Sequence, residues 1–152
     1  MSRSAVRLEP VDNETVEHAT ALLSDAGLPT QDIRGAPDWL YMAHSNGRRI
    51  GVGGIQSVDG YGLVRSVVIE PAVRGQGYGS ALCQALERRG TERGIEELYL
   101  LTTTAATFFE AIGYETCDRS AAPPAIQKTD QFDALCPATA SCLRKSIAHG
   151  KS

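Results

Sequence analysis

Hydrophobic and polar positions along the first third of the chain predict a strand followed by a helix. Ala5 to Val11 alternates apolar and polar residues, which is typical of a half-buried strand. Apolar residues then recur at helical spacing from Val16 to Leu23, with Asp12 or Asn13 before them as a cap. The next segment, Leu28 to Ile33, fits either a short second helix or a plain connector.

The middle of the chain predicts antiparallel strands. Trp39 to His44 and Arg49 to Val58 are apolar runs joined by Ser45-Asn46-Gly47, and Asn-Gly between apolar runs is a hairpin signal. The glycines inside the second run indicate close backbone packing or a bulge. Gly62 to Ile69 is a β-branched apolar run that ends at Pro71, so it predicts a buried central strand.

The remaining elements predict a crossover. Ser80 to Arg89 has helical periodicity, and Glu97 to Leu101 is a short apolar strand that should lie parallel to the central one. Ala105 to Ile112 predicts a helix with a threonine cap, Pro124 begins a short helix, and Ala140 to Ile147 predicts the last strand. Antiparallel strands combined with a crossover indicate an α/β (α+β) fold with a mixed sheet.

The turn between the central strand and the following helix contains three glycines, Gly75, Gly77 and Gly79. Bare backbone at a helix N-terminus is typical of an anion site, most naturally for phosphate or pyrophosphate. No Gly-Lys-Ser/Thr triplet is present, which argues against a Walker loop. Ser80 replaces the third glycine of a dinucleotide fingerprint, and Glu97 stands at the wrong end of the next strand for a ribose-binding acid.

Length and charge limit the function classes. The 152 residues predict one domain spanning residues 1–152, and a net charge of −3 makes nucleic acid an unexpected partner. The sequence contains no signal-peptide core and no apolar run long enough for a membrane helix, so we expect a cytoplasmic protein without a membrane partner. The cysteines lack metal-site spacing, so we expect reduced thiols and no metal. They are Cys83, Cys117, Cys136 and Cys142.

The stretch Arg-Gly-Gln-Gly-Tyr-Gly, from Arg74 to Gly79, resembles the pyrophosphate loop of the GNAT family of acyl-CoA-dependent N-acyltransferases. Val67, Ile69 and Pro71 stand in register with the strand that precedes that loop in the family. The resemblance implies a GNAT fold, with a mixed central sheet of about six to seven strands flanked by helices. It also implies that splayed central strands hold the acyl-CoA, that acetyl-CoA is the cosubstrate, and that no metal takes part.

The resemblance also implies which residues bind acetyl-CoA. The central strand would hold the pantetheine arm, the glycine turn would hold the pyrophosphate, and the later helix would complete the slot. A backbone N–H near Ile69 would polarise the thioester carbonyl. The residues concerned are Val67, Val68, Ile69, Arg74, Gly75, Gln76, Gly77, Tyr78, Gly79, Ser80, Thr103, Phe108 and Phe109.

Three residues near the end of the central strand are catalytic candidates. Glu70 is a candidate general base, directly or through water, with a solvated strand-end carboxylate as the structural alternative. Arg65 would hold an anionic group of the acceptor, or else form a structural salt bridge. Ser66 would orient water or substrate.

One position departs from the GNAT pattern. Many members carry a tyrosine that protonates the leaving thiolate, and Phe109 occupies that position here. The thiolate then leaves without an acid, or Thr103, Thr104 or Tyr114 supplies the proton.

The resemblance extends to the arsenic-resistance N-acetyltransferases through Leu100 to Ala105, Phe108-Phe109 and Leu135 to Pro137, and to the N-acetylglutamate synthase acetyltransferase domain. It implies acetyl transfer to the amine of a small, anionic, amino-acid-like acceptor, with arsenic resistance as the setting. The alternatives are a non-catalytic acyl-CoA- or arsenic-binding module that uses Cys117, Cys136 and Cys142, and a peptide or protein N-acetyltransferase. A homodimer stays open.

Overall fold

The computed structural model describes residues 6–28, 30, 33, 37–103, 105–129 and 140–147. Strands and helices follow one another along the described chain in much the order that the hydrophobic pattern predicts. The strands are β1 (Arg7–Pro10), β2 (Leu40–Ser45), β3 (Arg48–Val58), β4 (Tyr61–Ile69), β5 (Glu97–Thr102), β6 (Glu115–Cys117) and β7 (Ser141–Ser146). The helices are α1 (Val16–Asp25), α2 (Tyr78–Glu92), α3 (Ala106–Ala111) and α4 (Pro124–Gln127), with 3-10 turns at Pro71–Val73 and Arg119–Ala121.

The described strands form a mixed seven-stranded sheet in the order β1-β2-β3-β4-β5-β7-β6. The β4–β5 pair is parallel, with Gly62 opposite Leu98 and Leu63 opposite Tyr99, as the crossover prediction requires. β1 pairs with β2, β2 with β3, and β7 with both β5 and β6, all antiparallel. The mixed sheet predicted from the sequence is therefore confirmed, and β6 is an additional strand that the pattern did not predict.

The chain divides into two compact units. The first unit is Met1–Ile55 with Ser66–Arg89, and the second is Gln56–Arg65 with Gly90–Ser152. Each unit has its own apolar cluster, and the expectation of one domain over residues 1–152 stays a prediction. The first cluster contains Val11, Ala19, Leu22, Leu23, Ile33, Leu40, Met42, Val52 and Val68, and the second contains Leu63, Tyr99, Ala122, Ile126 and Cys142.

Short-range signals explain several element boundaries. Asn46 and Gly47 have φ values of 55° and 76°, the left-handed conformation that a tight hairpin turn requires. Oδ1 of Asp12 accepts hydrogen bonds from the amides of Glu14 and Thr15 at 2.9 and 3.0 Å, ahead of α1. These bonds stabilise the carboxylate and lower the pKa of Asp12. The N-cap residue of α1 is Thr15, so the prediction of Asp12 or Asn13 as the cap is wrong, and Asp12 instead closes the turn that precedes the helix. Most of the segment after α1, predicted as a short helix or a connector, lies outside the described residues.

Glycines allow β3 to pack tightly against its surroundings. A Cβ atom on Gly51 would overlap the carbonyl oxygen of Val68 in β4, and one on Gly54 would lie 2.7 Å from Cε3 of Trp39. The predicted close packing is confirmed. Within β4, Ser66 has a φ of 62°, which extended strands do not use, so the strand changes its course directly after Arg65.

Candidate active site

The connection between β4 and α2 is shaped by a 3-10 turn and two glycines in the left-handed conformation. Pro71 begins the 3-10 turn with its fixed φ, and the Val73 side chain is buried beneath it. Gly75 and Gly77 follow with φ values of 79° and 87°. L-residues with a Cβ rarely adopt such φ values, which explains the choice of glycine at these two positions.

Main-chain amides of this loop are available to a ligand. Among the residues that the structure describes, none accepts a hydrogen bond from the amides of Gly75, Gln76 or Gly77, and residues 74–77 are exposed. The first amides of α2, beginning at Tyr78, have no partner inside the helix, and the positive end of the helix dipole lies there. The loop therefore has exposed N–H donors next to a helix N-terminus, the arrangement that commonly binds anions.

Arg74 fastens the loop to the end of β4. Its Nε atom donates a hydrogen bond of 2.9 Å to the carbonyl oxygen of Ile69. The guanidinium remains exposed, so its positive charge stands at the start of the glycine turn. The loop is thus ordered by the chain itself before any ligand arrives.

The second half of β4 leaves one amide directed away from β3. The Glu70 amide donates to the Ile50 carbonyl oxygen at 2.8 Å. Neighbouring residues of a strand direct their main-chain groups to opposite sides, so the Ile69 amide points to the other side of β4. Val68 is buried in the first cluster, whereas Val67 and Ile69 are half-buried.

Glu70 does not stand alone at the end of β4. Its Oε2 atom lies 2.7 Å from Nε2 of His18, which projects from α1. The Glu70 side chain is 19% exposed and that of His18 is 42% exposed, so the pair connects a sheltered carboxylate to solvent. Sequence reasoning missed His18 because the two residues are 52 positions apart and no local pattern marks this histidine.

The division of the chain into two units falls between Arg65 and Ser66. The Arg65 side chain is buried in the second unit, where Nη1 donates to Oε1 of Gln56 at 3.1 Å. Ser66 belongs to the first unit and occupies the left-handed position of β4. The structural salt bridge considered for Arg65 and the predicted substrate roles of both residues stay predictions.

The aromatic residues predicted near the thioester belong to the second unit. Phe109 is 7% exposed and packs edge to face against Phe108 and Tyr114, at centroid distances of 5.0 and 5.4 Å. The Tyr114 ring is also buried and lies beside the ammonium group of Lys145. Thr103 is exposed on the turn after β5, and Thr104 lies outside the described residues. Phe109 is therefore a core residue of its unit.

The sequence profile of the acetyltransferase (GNAT) domain matches residues 37–116, just over half of the chain. The chain belongs to the GNAT acetyltransferase family. The match contains β4, the glycine loop and Glu70. The predicted GNAT family and the acetyltransferase class are confirmed, whereas the arsenic-resistance branch stays a prediction.

Solved structures share the GNAT fold. N-acetylglutamate synthase from Neisseria gonorrhoeae, complexed with coenzyme A and N-acetyl-glutamate, has a TM-score of 0.81 and 16% identity over 97% of this chain and 36% of its own. Rv2747 from Mycobacterium tuberculosis, in complex with CoA, has a TM-score of 0.77 and 16% identity over 93% of this chain and 99% of its own. A candidate acyl-CoA N-acyltransferase from Klebsiella pneumoniae has a TM-score of 0.67 and 26% identity over 95% and 98%. This GNAT chain thus spans about a third of the synthase and nearly all of the other two.

Two further observations concern other ligand classes. Within the described residues, no group of three His, Cys, Asp or Glu side chains is placed to hold a metal ion. None of the described helices is both long and apolar enough to cross a membrane.

Proposed function

We propose that the chain transfers the acetyl group of acetyl-CoA to the amine of a small, anionic, amino-acid-like acceptor. The observation that carries the proposal is the loop from Arg74 to Ser80, with exposed main-chain donors ahead of α2. The family match and the coenzyme A bound to related structures support the same ligand. A diphosphate is the anion that such a loop suits best.

The residues of the first unit fit this ligand. The amides from Gly75 to Ser80 bind the diphosphate, and the Arg74 guanidinium adds a positive charge next to it. The edge of β4 that carries Val67 and Ile69 holds the pantetheine arm through main-chain hydrogen bonds. The Ile69 amide, which points away from β3, donates to the thioester carbonyl oxygen as negative charge develops there.

Proton removal from the acceptor is assigned to Glu70. An amine attacks only after losing a proton, and the Glu70 carboxylate accepts it directly or through a water molecule. His18 holds this carboxylate at 2.7 Å, and its exposed ring passes the proton on to solvent. Acetyl-CoA supplies the activated acyl group when bound. Phe109 has no proton to donate, so the chain provides no acid at that position.

The acceptor class is proposed from ligands of a related structure. Structures of N-acetylglutamate synthase contain N-acetyl-glutamate, which is an acetylated amino acid, or L-arginine, which is an amino acid. The roles of Arg65 in holding the acceptor carboxylate and of Ser66 in orienting the acceptor stay predictions. An organoarsenical amino acid fits the same description, which is why arsenic resistance remains part of the proposal. Contacts from Thr103, Phe108 and Phe109 to the cofactor, and formation of a homodimer, stay predictions.

Calorimetry with acetyl-CoA tests the cofactor assignment. Gly77→Ala places a Cβ on a residue at φ 87°, so the free loop of the variant relaxes to another backbone conformation. Restoring the conformation that the diphosphate needs costs about 1–2 kcal/mol, so we expect roughly tenfold weaker binding. Gly60→Ala is the matched control. Gly60 has the same φ of 87° but lies in the β3–β4 turn, with open space where its Cβ would be. Unchanged affinity in Gly77→Ala, or an equal loss in both variants, refutes the assignment.

Product analysis tests the acceptor class. The chain is incubated with acetyl-CoA and each of glutamate, an organoarsenical amino acid, an uncharged amine and a lysine peptide, and the acetylated products are identified by mass spectrometry. We expect turnover with the anionic amino acids and little with the others. Acetylation of the peptide alone would support a protein acetyltransferase instead.

A further inference from the structure

Two thiols that play no part in acetyl transfer face each other at one edge of the sheet. Cys117 of β6 is directly opposite Cys142 of β7, and both are free cysteines. Their sulfur atoms are 3.4 Å apart and share a hydrogen bond. The residues are 25 positions apart in the chain, and only the strand register brings them together.

The backbone geometry at this pair already suits a covalent bond. Directly opposed residues of antiparallel strands have Cα atoms about 4.5–5.5 Å apart, within the 4.4–6.8 Å range that disulfides use. The register and the sulfur separation of 3.4 Å are therefore both compatible with a disulfide between Cys117 and Cys142. By contrast, Cys83 lies in α2 and is 1% exposed, so it is shielded from reagents.

The two thiols differ in accessibility and acidity. Cys142 is 3% exposed within the second cluster, and this burial together with the neighbouring Cys117 raises the pKa of Cys142 to about 12. Arg119 opposes and Asp118 reinforces this increase. Cys117 is half-buried on β6, the strand at the edge of the described sheet. A small reagent therefore meets Cys117 first.

We propose that Cys117 and Cys142 form a redox-active pair that low-molecular-weight disulfides oxidise to a cross-strand disulfide. The Cys117 thiolate attacks one sulfur of the reagent, which breaks the reagent's S–S bond and releases one thiolate. Cys142 then loses its proton to solvent and attacks the Cys117 sulfur, which releases the second small thiol. Two protein thiols are oxidised, and one small disulfide is reduced to two thiols.

The bond would close the segment between β6 and β7. That segment contains the 3-10 turn Arg119–Ala121 and α4, whose Ile126 is fully buried in the second cluster. Closing a loop of this length restricts the unfolded chain, so the oxidised form should unfold at a higher temperature. The pair is thus a modification site that strengthens one unit without involving the acetyl-transfer residues.

The test is incubation of the folded chain with oxidised glutathione, followed by intact-mass analysis and peptide mapping. We expect that two of the four thiols titrated after unfolding are lost and that the mass falls by two hydrogen atoms. Peptide mapping should show a peptide linking Cys117 to Cys142, and the unfolding midpoint should rise. Cys142→Ala, which keeps the site apolar, should stop at a stable glutathione adduct on Cys117. Cys83→Ser is the control and should form the disulfide as the wild type does.

Several outcomes would overturn the proposal. They are a disulfide that contains Cys136, a glutathione adduct that persists on the wild type without a link, and no loss of thiols under conditions that oxidise a peptide dithiol. The decisive measurement is made on the wild-type chain, so it can be interpreted even if a variant fails to fold.

Discussion

The sharpest test of the packing beneath the candidate site is the substitution Gly51→Ala. A Cβ at this position would overlap the Val68 carbonyl oxygen and lie 3.1 Å from Cα of Ile69. Both atoms belong to the backbone of β4, and the Glu70 amide holds that strand to the Ile50 carbonyl oxygen. No side-chain rotation can relieve the overlap, so β3 and β4 must separate locally.

The size of the effect follows from these contacts. Overpacking that moves backbone costs about 1–3 kcal/mol, and the upper part of that range applies here. Alanine in place of glycine recovers about 0.4–1 kcal/mol by restricting the unfolded chain. The expected net loss from Gly51→Ala is about 2 kcal/mol, or a fall of about 4–8 °C in Tm. Gly53→Ala is the control, because its Cβ would meet side-chain ends and no backbone: Cδ1 of Leu86 at 3.0 Å and the two Cδ atoms of Leu82 at 3.5 Å. Its effect should stay within about 1 kcal/mol.

Urea unfolding and calorimetry with acetyl-CoA measure the two consequences. Gly51→Ala should lower the unfolding midpoint without changing the slope m, whereas Gly53→Ala should barely move it. Because the displaced strand carries Val67 to Ile69, Gly51→Ala should also weaken acetyl-CoA binding, and Gly53→Ala should not. Equal stability in the two variants, or a Gly51→Ala chain that is more stable than the wild type, would show that the strands yield freely.

Two further predictions concern the candidate base Glu70 and the Asp12 turn ahead of α1. In steady-state assays, Glu70→Gln should lower kcat about 100-fold with little change in KM for acetyl-CoA. His18→Gln should lower kcat less, and the double variant should resemble Glu70→Gln because the two residues act together. If the losses of the two single variants multiply in the double variant, His18 and Glu70 act independently and the proposal is contradicted. The lowered pKa of Asp12 means that its carboxylate stabilises the folded chain above its ordinary value of 3.8, and that this contribution is lost as pH falls through the lower folded-state pKa. Asp12→Ala should therefore lower Tm at neutral pH, by an amount that shrinks on acidification well below 3.8, while Asp25→Ala at the far end of α1 should not lower it. A pH-independent deficit in Asp12→Ala would contradict the assignment.

Local chemistry was enough to predict most of the fold. The Asn46-Gly47 pair predicts its turn because few other residues accept a positive φ at both positions. The apolar run that ends at Pro71 predicts β4 to within one residue, since a β-branched run and a proline stop are both short-range signals. The glycine loop could be predicted for the same reason, because positive φ is what glycine tolerates.

Features that depend on tertiary contacts could not be predicted from the sequence. Ser66 adopts a left-handed φ, yet serine carries no signal for it, and β6 has three residues, too few for an alternating pattern. The His18–Glu70 contact joins α1 to the end of β4, and the Cys117–Cys142 contact depends on strand register. Each needs the folded chain before the partner can be named.

The two edge strands of the described sheet, β1 and β6, are short. β1 has four residues and ends with Pro10, which has no N–H to donate, and β6 has three residues. A second copy paired with either edge strand would gain only a few main-chain hydrogen bonds. An edge strand has one open side, so it offers about half of the bonds that an equally short internal strand makes. Growth of ordered aggregates by edge-to-edge stacking of the native protein is accordingly disfavoured.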